Sequence, residues 1–390
     1  MSFVYGVLGA GRQGTASGYD IARFGDAEAV IMADSNGKVA EESAARINRL
    51  VGKEIARGVE LNANDPAAVA AYFEPLDSCV SAIPYFLNFE ATKAAIAAKC
   101  HFCDMGGNTG VVMQQLGLHT DATQAGVSVV PDCGVGPGMI SNLAVYLTEQ
   151  FEVAEDILIY DGGLLQQPRP PFNFALFFNI EGLTNEYWGD ALYLVDGKVK
   201  PTACFADDEY ELIEIPGLGT FEAFVTSGGL STMVPTYEGK LKTLKNKTLR
   251  YPGHVALFQG MRDIGLFNLD PIEVGGVSVV PRQVLHTLLD PKVAPLPEDK
   301  DMMVIHIVGR GQKGGAQAEI HLDIVDRLEE TTGFYAMERM TGFHAAIVAQ
   351  MMARGEVAQG AVSLEKAVNA TRMVEEMAKR DMNVTLTQVK

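Results

Sequence analysis

The sequence predicts an α/β protein, with a doubly wound parallel sheet followed by a second α+β domain carrying a mixed, mostly antiparallel sheet. Three observations predict it. Through the first 150 residues, short apolar runs alternate with longer stretches of helical period, as in a parallel sheet covered by helices on both faces. A glycine-rich hexapeptide separates the first run from the first helix. After about residue 152 the alternation gives way to strand-like, turn-rich segments.

In chain order, the runs Val4–Leu8, Ala29–Ala33, Val59–Leu61, Ser78–Ala82, His101–Asp104 and Val127–Pro131 read as strands. The stretches Thr15–Phe24, Val39–Arg49, Pro66–Phe73, Phe89–Lys99, Val111–Ala125 and Met139–Gln150 read as helices. In the second part Glu155–Tyr160, Val274–Val280, Met303–Val308 and Ala316–Ile324 read as strands. Pro291–Asp301, with its prolines and charges, reads as an exposed loop. Helical spacing returns in Tyr335–Arg354 and Leu364–Lys379. The expected domains are residues 1–134, 135–330 and a helical stretch 331–390. No internal repeat and no low-complexity tract interrupts them.

Composition excludes several classes. A chain of 390 residues, 47% hydrophobic and 21% charged, can bury large cores. Its net charge of −18 argues against nucleic acid as a partner. No signal-peptide pattern opens the sequence, and no apolar run has the length of a membrane span. A cytoplasmic protein without a membrane partner is expected. The five cysteines form no disulfide framework. Cys100-His101-Phe102-Cys103 lacks a second pair at zinc spacing and reads as core packing, so no metal is expected.

Gly9-Ala10-Gly11-Arg12-Gln13-Gly14 is a complete G-x-G-x-x-G between a strand and a helix. The first glycine allows the tight turn, the second lets a pyrophosphate approach the backbone, and the third lets helix and strand pack closely. Asp34 lies 20 positions after Gly14, at the end of the second strand. With Ser35 it is placed to meet the adenosine ribose, and its charge favours NAD over NADP. Arg12 and Lys38 are the nearby cations and keep NADP open. A Rossmann domain is therefore expected. Its later strand ends should line the cofactor too: Ala82 and Ile83, Asp104 and Gly106, and Asp132, Cys133, Val135, Gly136 and Pro137.

Further along come Pro131-Asp132-Cys133-Gly134-Val135-Gly136-Pro137-Gly138, Tyr160-Asp161-Gly162-Gly163-Leu164, Arg250-Tyr251-Pro252-Gly253-His254 and Met337-Glu338-Arg339-Met340-Thr341-Gly342-Phe343. In that order and spacing they resemble the saccharopine dehydrogenase-like family over nearly the whole chain. Pro168-Arg169-Pro170-Pro171-Phe172-Asn173, Ile180-Glu181-Gly182-Leu183-Thr184-Asn185-Glu186-Tyr187 and Phe221-Glu222-Ala223-Phe224 resemble its L-lysine 6-dehydrogenase branch. The resemblance implies a Rossmann domain, a substrate domain with a mixed sheet, a C-terminal helix packed back on the first domain, and homodimers or higher homo-oligomers. It implies oxidation at a C–N bond, with L-lysine deaminated at its 6-amino group. Formation of saccharopine or carboxynorspermidine, and an NAD-binding protein without turnover, stand as alternatives. A sugar dehydrogenase is disfavoured, because the Glu-Lys-Pro motif of those enzymes is missing.

Such chemistry needs an arginine fork for the substrate carboxylate, and Arg250 then Arg169 are the candidates. Glu181 and Asp161 are candidates for an ammonium. His254 is the expected proton-transfer residue, since imidazole titrates near neutrality. Tyr160, Gly163, Tyr187 and Thr226 should line the substrate site. His344 reads as a satisfied core group, Cys133 as a thiol near the nicotinamide, and Lys240, Lys242, Lys245 and Lys247 as a solvated run.

Overall fold

The computed structural model describes residues 2–389, and the chain divides into two compact units. The first comprises Met1–Tyr146, Ser231–Met233 and Glu329–Asn383; the second comprises Leu147–Leu230, Val234–Leu328 and Val384–Lys390. The units divide after Tyr146 and again after Leu328, where 134 and 330 were expected. The helices after residue 331 are part of the first unit, and the final strand belongs to the second.

The first unit carries β1 (Phe3–Leu8), β2 (Ala27–Asp34), β3 (Ala56–Glu60), β4 (Ser78–Ser81), β5 (His101–Asp104) and β6 (Ser128–Val130). All pair in parallel, in the order β6-β5-β4-β1-β2-β3. The order reverses between β4 and β1, the switch point where doubly wound sheets bind ligands. Local chemistry sets the helix ends. Asn36 accepts from the Lys38 N–H to start helix Gly37–Val51, which stops at Gly52 with φ +70°. Asp65 caps helix Pro66–Phe73, with proline in its first turn. The helix expected over Val111–Ala125 is two, Thr109–Leu116 and His119–Ala125, with a tight turn at Gly117 and Leu118 between them.

The second unit carries β7 (Val153–Leu165), β8 (Asp190–Val195), β9 (Lys198–Ala203), β10 (Glu211–Ile215), β11 (Gly219–Val225), β12 (Thr243–Arg250), β13 (Ile272–Val274), β14 (Val277–Val279), β15 (Asp301–Lys313) and β16 (Ala316–Arg327). Its mixed sheet runs β10-β11-β12-β7-β15-β16, and among the described residues only β12 and β7 pair in parallel there. Two apolar clusters cover its faces, one around Phe224, Phe258 and Phe267, the other around Phe221, Leu249 and Val304. The segment Val274–Val280 is not one strand. Gly275 and Gly276 both take positive φ and fold it into the β13–β14 hairpin. The expected loop Pro291–Asp301 begins later, because helix Pro281–Val293 runs through Pro291.

Two short strands complete the sheets. β17 (Gly360–Ala361) adds to β6 in the first unit, and β18 (Thr385–Gln388) adds to β16 in the second. The long C-terminal helix is interrupted by a π turn over Arg339–Phe343, where Gly342 lies against the first helix and accepts a 2.8 Å hydrogen bond from Ser17. A Cβ on Gly342 would stand 2.7 Å from the Gln13 carbonyl oxygen. A buried ion pair fastens the same region: Arg380 donates to Asp20 through Nε at 2.6 Å and Nη2 at 2.9 Å, and to Glu376 at 2.8 Å. Among the described residues, no helix is long and apolar enough to cross a membrane.

Candidate active site

In the first unit the glycine loop is shaped by close approach. Gly9 has φ +99°, and a Cβ there would lie 2.6 Å from the Ala82 carbonyl oxygen. A Cβ on Gly14 would lie 1.8 Å from the Gly9 carbonyl oxygen. A Cβ on Gly11 would meet nothing within 4 Å, so that flank is open. Gly11 caps helix Arg12–Phe24 and no side chain caps it, which leaves first-turn N–H groups for an anion. Asp34 ends β2; its Oδ2 accepts the Ala10 N–H and its Oδ1 the Asn36 N–H, both at 3.0 Å. Ser35 and Arg12 are exposed beside this loop, and Gln13 is half-buried. An open glycine flank, free helix N–H groups and a carboxylate at the strand end fit the pyrophosphate and ribose of a dinucleotide.

The ends of β4, β5 and β6 continue this edge. Ala82 donates its N–H to Leu8, and Ile83 follows it against Gly9. Asp104 is fully buried and accepts from the Gly106 N–H at 2.7 Å and Gln115 Nε2 at 2.6 Å. Burial still raises its carboxyl pKa above the usual range. Gly106, at φ +75°, leaves room for the Asp132 carboxylate, which a Cβ would approach to 2.2 Å. Asp132 accepts a 2.5 Å bond from Ser231, and burial pushes its pKa up to about 7. Val135, Gly136 and Pro137 follow, half-buried.

Cys133 corrects an expectation. Its thiol points inward, donates to the Val130 carbonyl at 3.2 Å and has no exposure, so burial raises its pKa. It can present only backbone to a ligand. His344 is a satisfied core group: its ring nitrogens meet the Cys133 carbonyl and the Asn142 side chain. Cys100 and Cys103 are buried and donate to backbone carbonyls.

In the second unit, strand register decides what meets what. Asp161 on β7 stands across from Thr248 on β12, and Arg250 across from Glu222 on β11. Asp161, Gly163, Asn246, Thr248, Arg250, Glu222 and Thr226 thus share one face. Asn246 Nδ2 donates to Asp161 at 2.6 Å, and the Thr226 and Thr248 hydroxyls meet at 2.7 Å. Arg250 is 3% exposed. Its Nε donates to the Tyr187 hydroxyl at 3.1 Å, its Nη1 donates to the Leu249 carbonyl at 2.8 Å, and its guanidinium lies 4.8 Å from the Phe174 ring. Its Nη2 donates to no protein atom among the described residues. The Tyr187 hydroxyl is 2.9 Å from His254 Nε2, and His254 Nδ1 is 3.2 Å from the Phe172 carbonyl.

A carbonyl only accepts, so Nδ1 carries the imidazole proton and Nε2 accepts from Tyr187. Burial and Arg250 hold the His254 pKa well below its ordinary value. His254 is 1% exposed with both nitrogens used. It is a neutral support for Tyr187 and Arg250 rather than an accessible proton carrier. Burial raises Asp161 to about 6 and Glu186 to about 7, with Arg250 opposing both shifts. Among the described residues, no protein donor reaches the Glu186 carboxylate.

Other expected residues lie elsewhere. Tyr160 is on the opposite face of β7 and donates to Glu211 at 3.1 Å. Glu181 is exposed in the first turn of helix Ile180–Glu186, near Arg282 and His286. Arg169 pairs with Asp299 at 3.0 Å, which fastens the Pro-rich turn. Lys242, Lys245 and Lys247 are not simply solvated: they pair with Glu155, Glu209 and Glu211. The carboxylate missed by sequence reasoning is Glu186, five residues after Glu181 in the same motif. Its signal was adjacency to Tyr187.

The family model for the saccharopine dehydrogenase NADP binding domain matches residues 5–130, and that for the saccharopine dehydrogenase C-terminal domain matches residues 134–382. A carboxynorspermidine synthase of Vibrio cholerae serotype O1 is 23% identical over 346 residues, 82% of this chain and 80% of that one. The NADP(+), L-glutamate-forming saccharopine dehydrogenase of Pyricularia oryzae is 28% identical over 171 residues, 42% of this chain and 36% of that protein. Apo saccharopine dehydrogenase from Saccharomyces cerevisiae has the same fold, with a TM-score of 0.80 at 16% identity and full coverage of both chains.

Proposed function

The chain belongs to the saccharopine dehydrogenase family and is an NAD(P)-binding oxidoreductase; we propose that it acts on a C–N bond of a small amino acid richer in amines than in carboxylates. The first reading is oxidative deamination of L-lysine at its 6-amino group. One observation carries it: Asp161 and Glu186 flank Arg250 in the second unit, and Arg250 keeps Nη2 unused. One guanidinium serves one carboxylate, and two carboxylates serve ammonium groups. A substrate with three carboxylates, such as saccharopine, would be poorly served.

When bound, the nicotinamide supplies the hydride acceptor or donor. The glycine loop holds its pyrophosphate, and Asp34 receives the ribose, with NAD preferred over NADP. Arg250 orients the substrate carboxylate. Tyr187 and His254 hold Arg250 by donating in sequence, Arg250 Nε–H to Tyr187, Tyr187 O–H to His254, and His254 Nδ1–H to Phe172. Glu186, backed by Asp161, takes the proton that the reacting ammonium must lose. A carboxylate titrating near 7 can both accept and return a proton at neutral pH. Thr226, Gly163 and Tyr187 line the remaining space.

A second reading is reductive joining of an amine and an aldehyde. It is supported by the carboxynorspermidine synthase of V. cholerae, which matches 82% of this chain. The deciding assay follows absorbance of the reduced cofactor, with NAD or NADP and L-lysine, D-lysine, ornithine, saccharopine or carboxynorspermidine. NAD reduction by L-lysine with ammonia release supports the first reading. Turnover of carboxynorspermidine without lysine oxidation replaces it with the second. Cofactor binding without turnover of any of them overturns both.

A further inference from the structure

The second unit holds a cavity of about 250 Å³ that the proposed chemistry does not use. Strand period and turn chemistry build it. β11 alternates, so Glu222 and Phe224 fall on one face, and both line the cavity. Phe205 stacks on Phe224, with ring centroids 5.0 Å apart and 23° between the planes. Val255 extends the apolar wall from the first turn of helix His254–Asp263. A short turn, Asp207–Glu209, brings Asp207 and then Tyr210 to the rim, and Gln259 reaches it from the helix. Arg250 and Tyr187 do not line this space, although Tyr187 meets Phe205 and Phe224 edge-on at 5.2 and 5.6 Å.

Charge in the cavity does not balance. Glu222 is 5% exposed and pairs with no lysine or arginine among the described residues. It accepts the Gly253 N–H at 3.0 Å, the Val255 N–H at 2.9 Å and the Tyr210 hydroxyl at 3.2 Å. Two of these donors belong to a helix N-terminus, which offsets about half a charge. Asp207 adds a second carboxylate, and its one side-chain partner among the described residues is Gln259 Nε2 at 3.3 Å. No lysine or arginine lines the cavity. Arg262 stands 5.2 Å from the Phe205 ring, but it pairs with Asp263. About one and a half negative charges thus remain, beside ring faces that attract cations.

We propose that this cavity binds the ammonium end of a short aliphatic amine, at a place separate from Arg250. Three acceptors on its lining meet no donor among the described residues: Asp207 Oδ2, Gln259 Oε1 and the Tyr210 hydroxyl oxygen. A primary ammonium carries three N–H donors, which match them in number. Phe205, Phe224 and Val255 supply an apolar wall for the alkyl stem. At about 30 Å³ for each water-sized group the space takes roughly eight non-hydrogen atoms, enough for a small amine and too few for a peptide. A metal ion is disfavoured, because hard cations take about six oxygens or more, and among the described residues no three His, Cys, Asp or Glu side chains are grouped to hold one. The two carboxylates repel an anion. The ligand class follows from the cavity alone and does not depend on the role proposed for Arg250.

The test titrates butylammonium chloride onto the full chain, followed by ligand-observed NMR, with butan-1-ol as the neutral ligand of equal size. Butylammonium lacks the carboxylate proposed to meet Arg250, so it favours the cavity. We expect a Kd on the order of 1 mM for so small a ligand, and binding of butan-1-ol at least about tenfold weaker. Asp207→Lys should weaken butylammonium about tenfold, since it turns attraction into repulsion. Melting temperature and NAD(P) affinity should hold in that variant, because Asp207 is exposed and lies outside the glycine loop. Glu186→Gln, beside Arg250, should leave butylammonium binding unchanged. A wild-type chain that does not bind butylammonium overturns the proposal. So does equal binding of butan-1-ol. Binding lost in Glu186→Gln and kept in Asp207→Lys puts the amine beside Arg250 and overturns it too. If lysine at 207 lowers the melting temperature, Asp207→Asn carries the test, with about a threefold loss of affinity expected.

Discussion

The two units treat their carboxylates in opposite ways. In the first, Asp34 accepts two backbone N–H groups, and Asp104 accepts two backbone N–H groups and one fixed amide. In the second, Asp161 has a single amide donor, and Glu186 lies beside Arg250 with no donor of its own among the described residues. The first unit presents backbone, spaced by glycines; the second presents side-chain charge, balanced between one cation and two acids. At the glycine loop an added Cβ should therefore cost more than a change of side-chain charge, and around Arg250 a change of charge should cost most.

The sharpest way to break that contrast is Gly14→Ala. Its Cβ would lie 1.8 Å from a backbone oxygen, so cofactor affinity should fall more than about 100-fold or the unit should unfold, a cost above ~3 kcal/mol. Nucleotide titration by fluorescence, with a melting curve, reads either outcome; unchanged affinity would refute the backbone reading. Next is Arg250→Ala. Loss of a buried charge partner costs about 2–5 kcal/mol, so kcat/KM for the amino-acid substrate should fall by about two to three orders of magnitude while NAD(P) affinity holds. An equal loss in cofactor affinity would end the division of labour.

Glu186→Gln should lower kcat/KM by about 10²-fold or more, in the range of general-base losses. The wild-type rate should rise with pH through about 7 as Glu186 ionises, and the variant should lose that limb. Stability carries the same signature with its own sign. A carboxyl near 7 in the folded chain and about 4 in the unfolded chain keeps a proton on folding, so stability falls as pH rises through that window. The glutamine variant should show a flatter melting-temperature profile between those limits. The smallest effect is expected for Asp34→Ser. Removing the repulsion of a 2′-phosphate should move the NAD-to-NADP preference by about tenfold towards NADP, about 1.4 kcal/mol; a steady-state ratio that does not move would remove Asp34 from cofactor choice.

The same contrast explains what the sequence disclosed. Backbone recognition leaves marks in the residues themselves: Gly9, Gly11, Gly14 and Asp34 were legible because glycine spacing and strand ends are local. Side-chain recognition depends on register. In Ile157-Leu158-Ile159-Tyr160-Asp161 both faces of β7 carry apolar groups, so parity alone could not separate Tyr160 from Asp161. Glu181 and Glu186 sit in one short helix. What sets Glu186 in place is distant, the Ser227 N–H donating to its carbonyl at 2.8 Å. His254 was found by its chemistry, but its 1% exposure follows from the aromatic rings of Phe174 and Phe258 packed around it.

The short strand Gly360–Ala361 and the Arg380–Asp20 pair carry one more implication, for synthesis. The segment that carries Asp20 leaves a ribosome without the edge strand of its own sheet and without the cation for its buried aspartate until residues 360–380 have followed it. Asp20 would wait as a buried-to-be charge without its counter-ion, a state that costs several kcal/mol if sealed too soon. The first unit is thus begun before the second and still incomplete when most of the second has been made. A truncation before Arg380 should leave it open to proteases even with the whole glycine loop present.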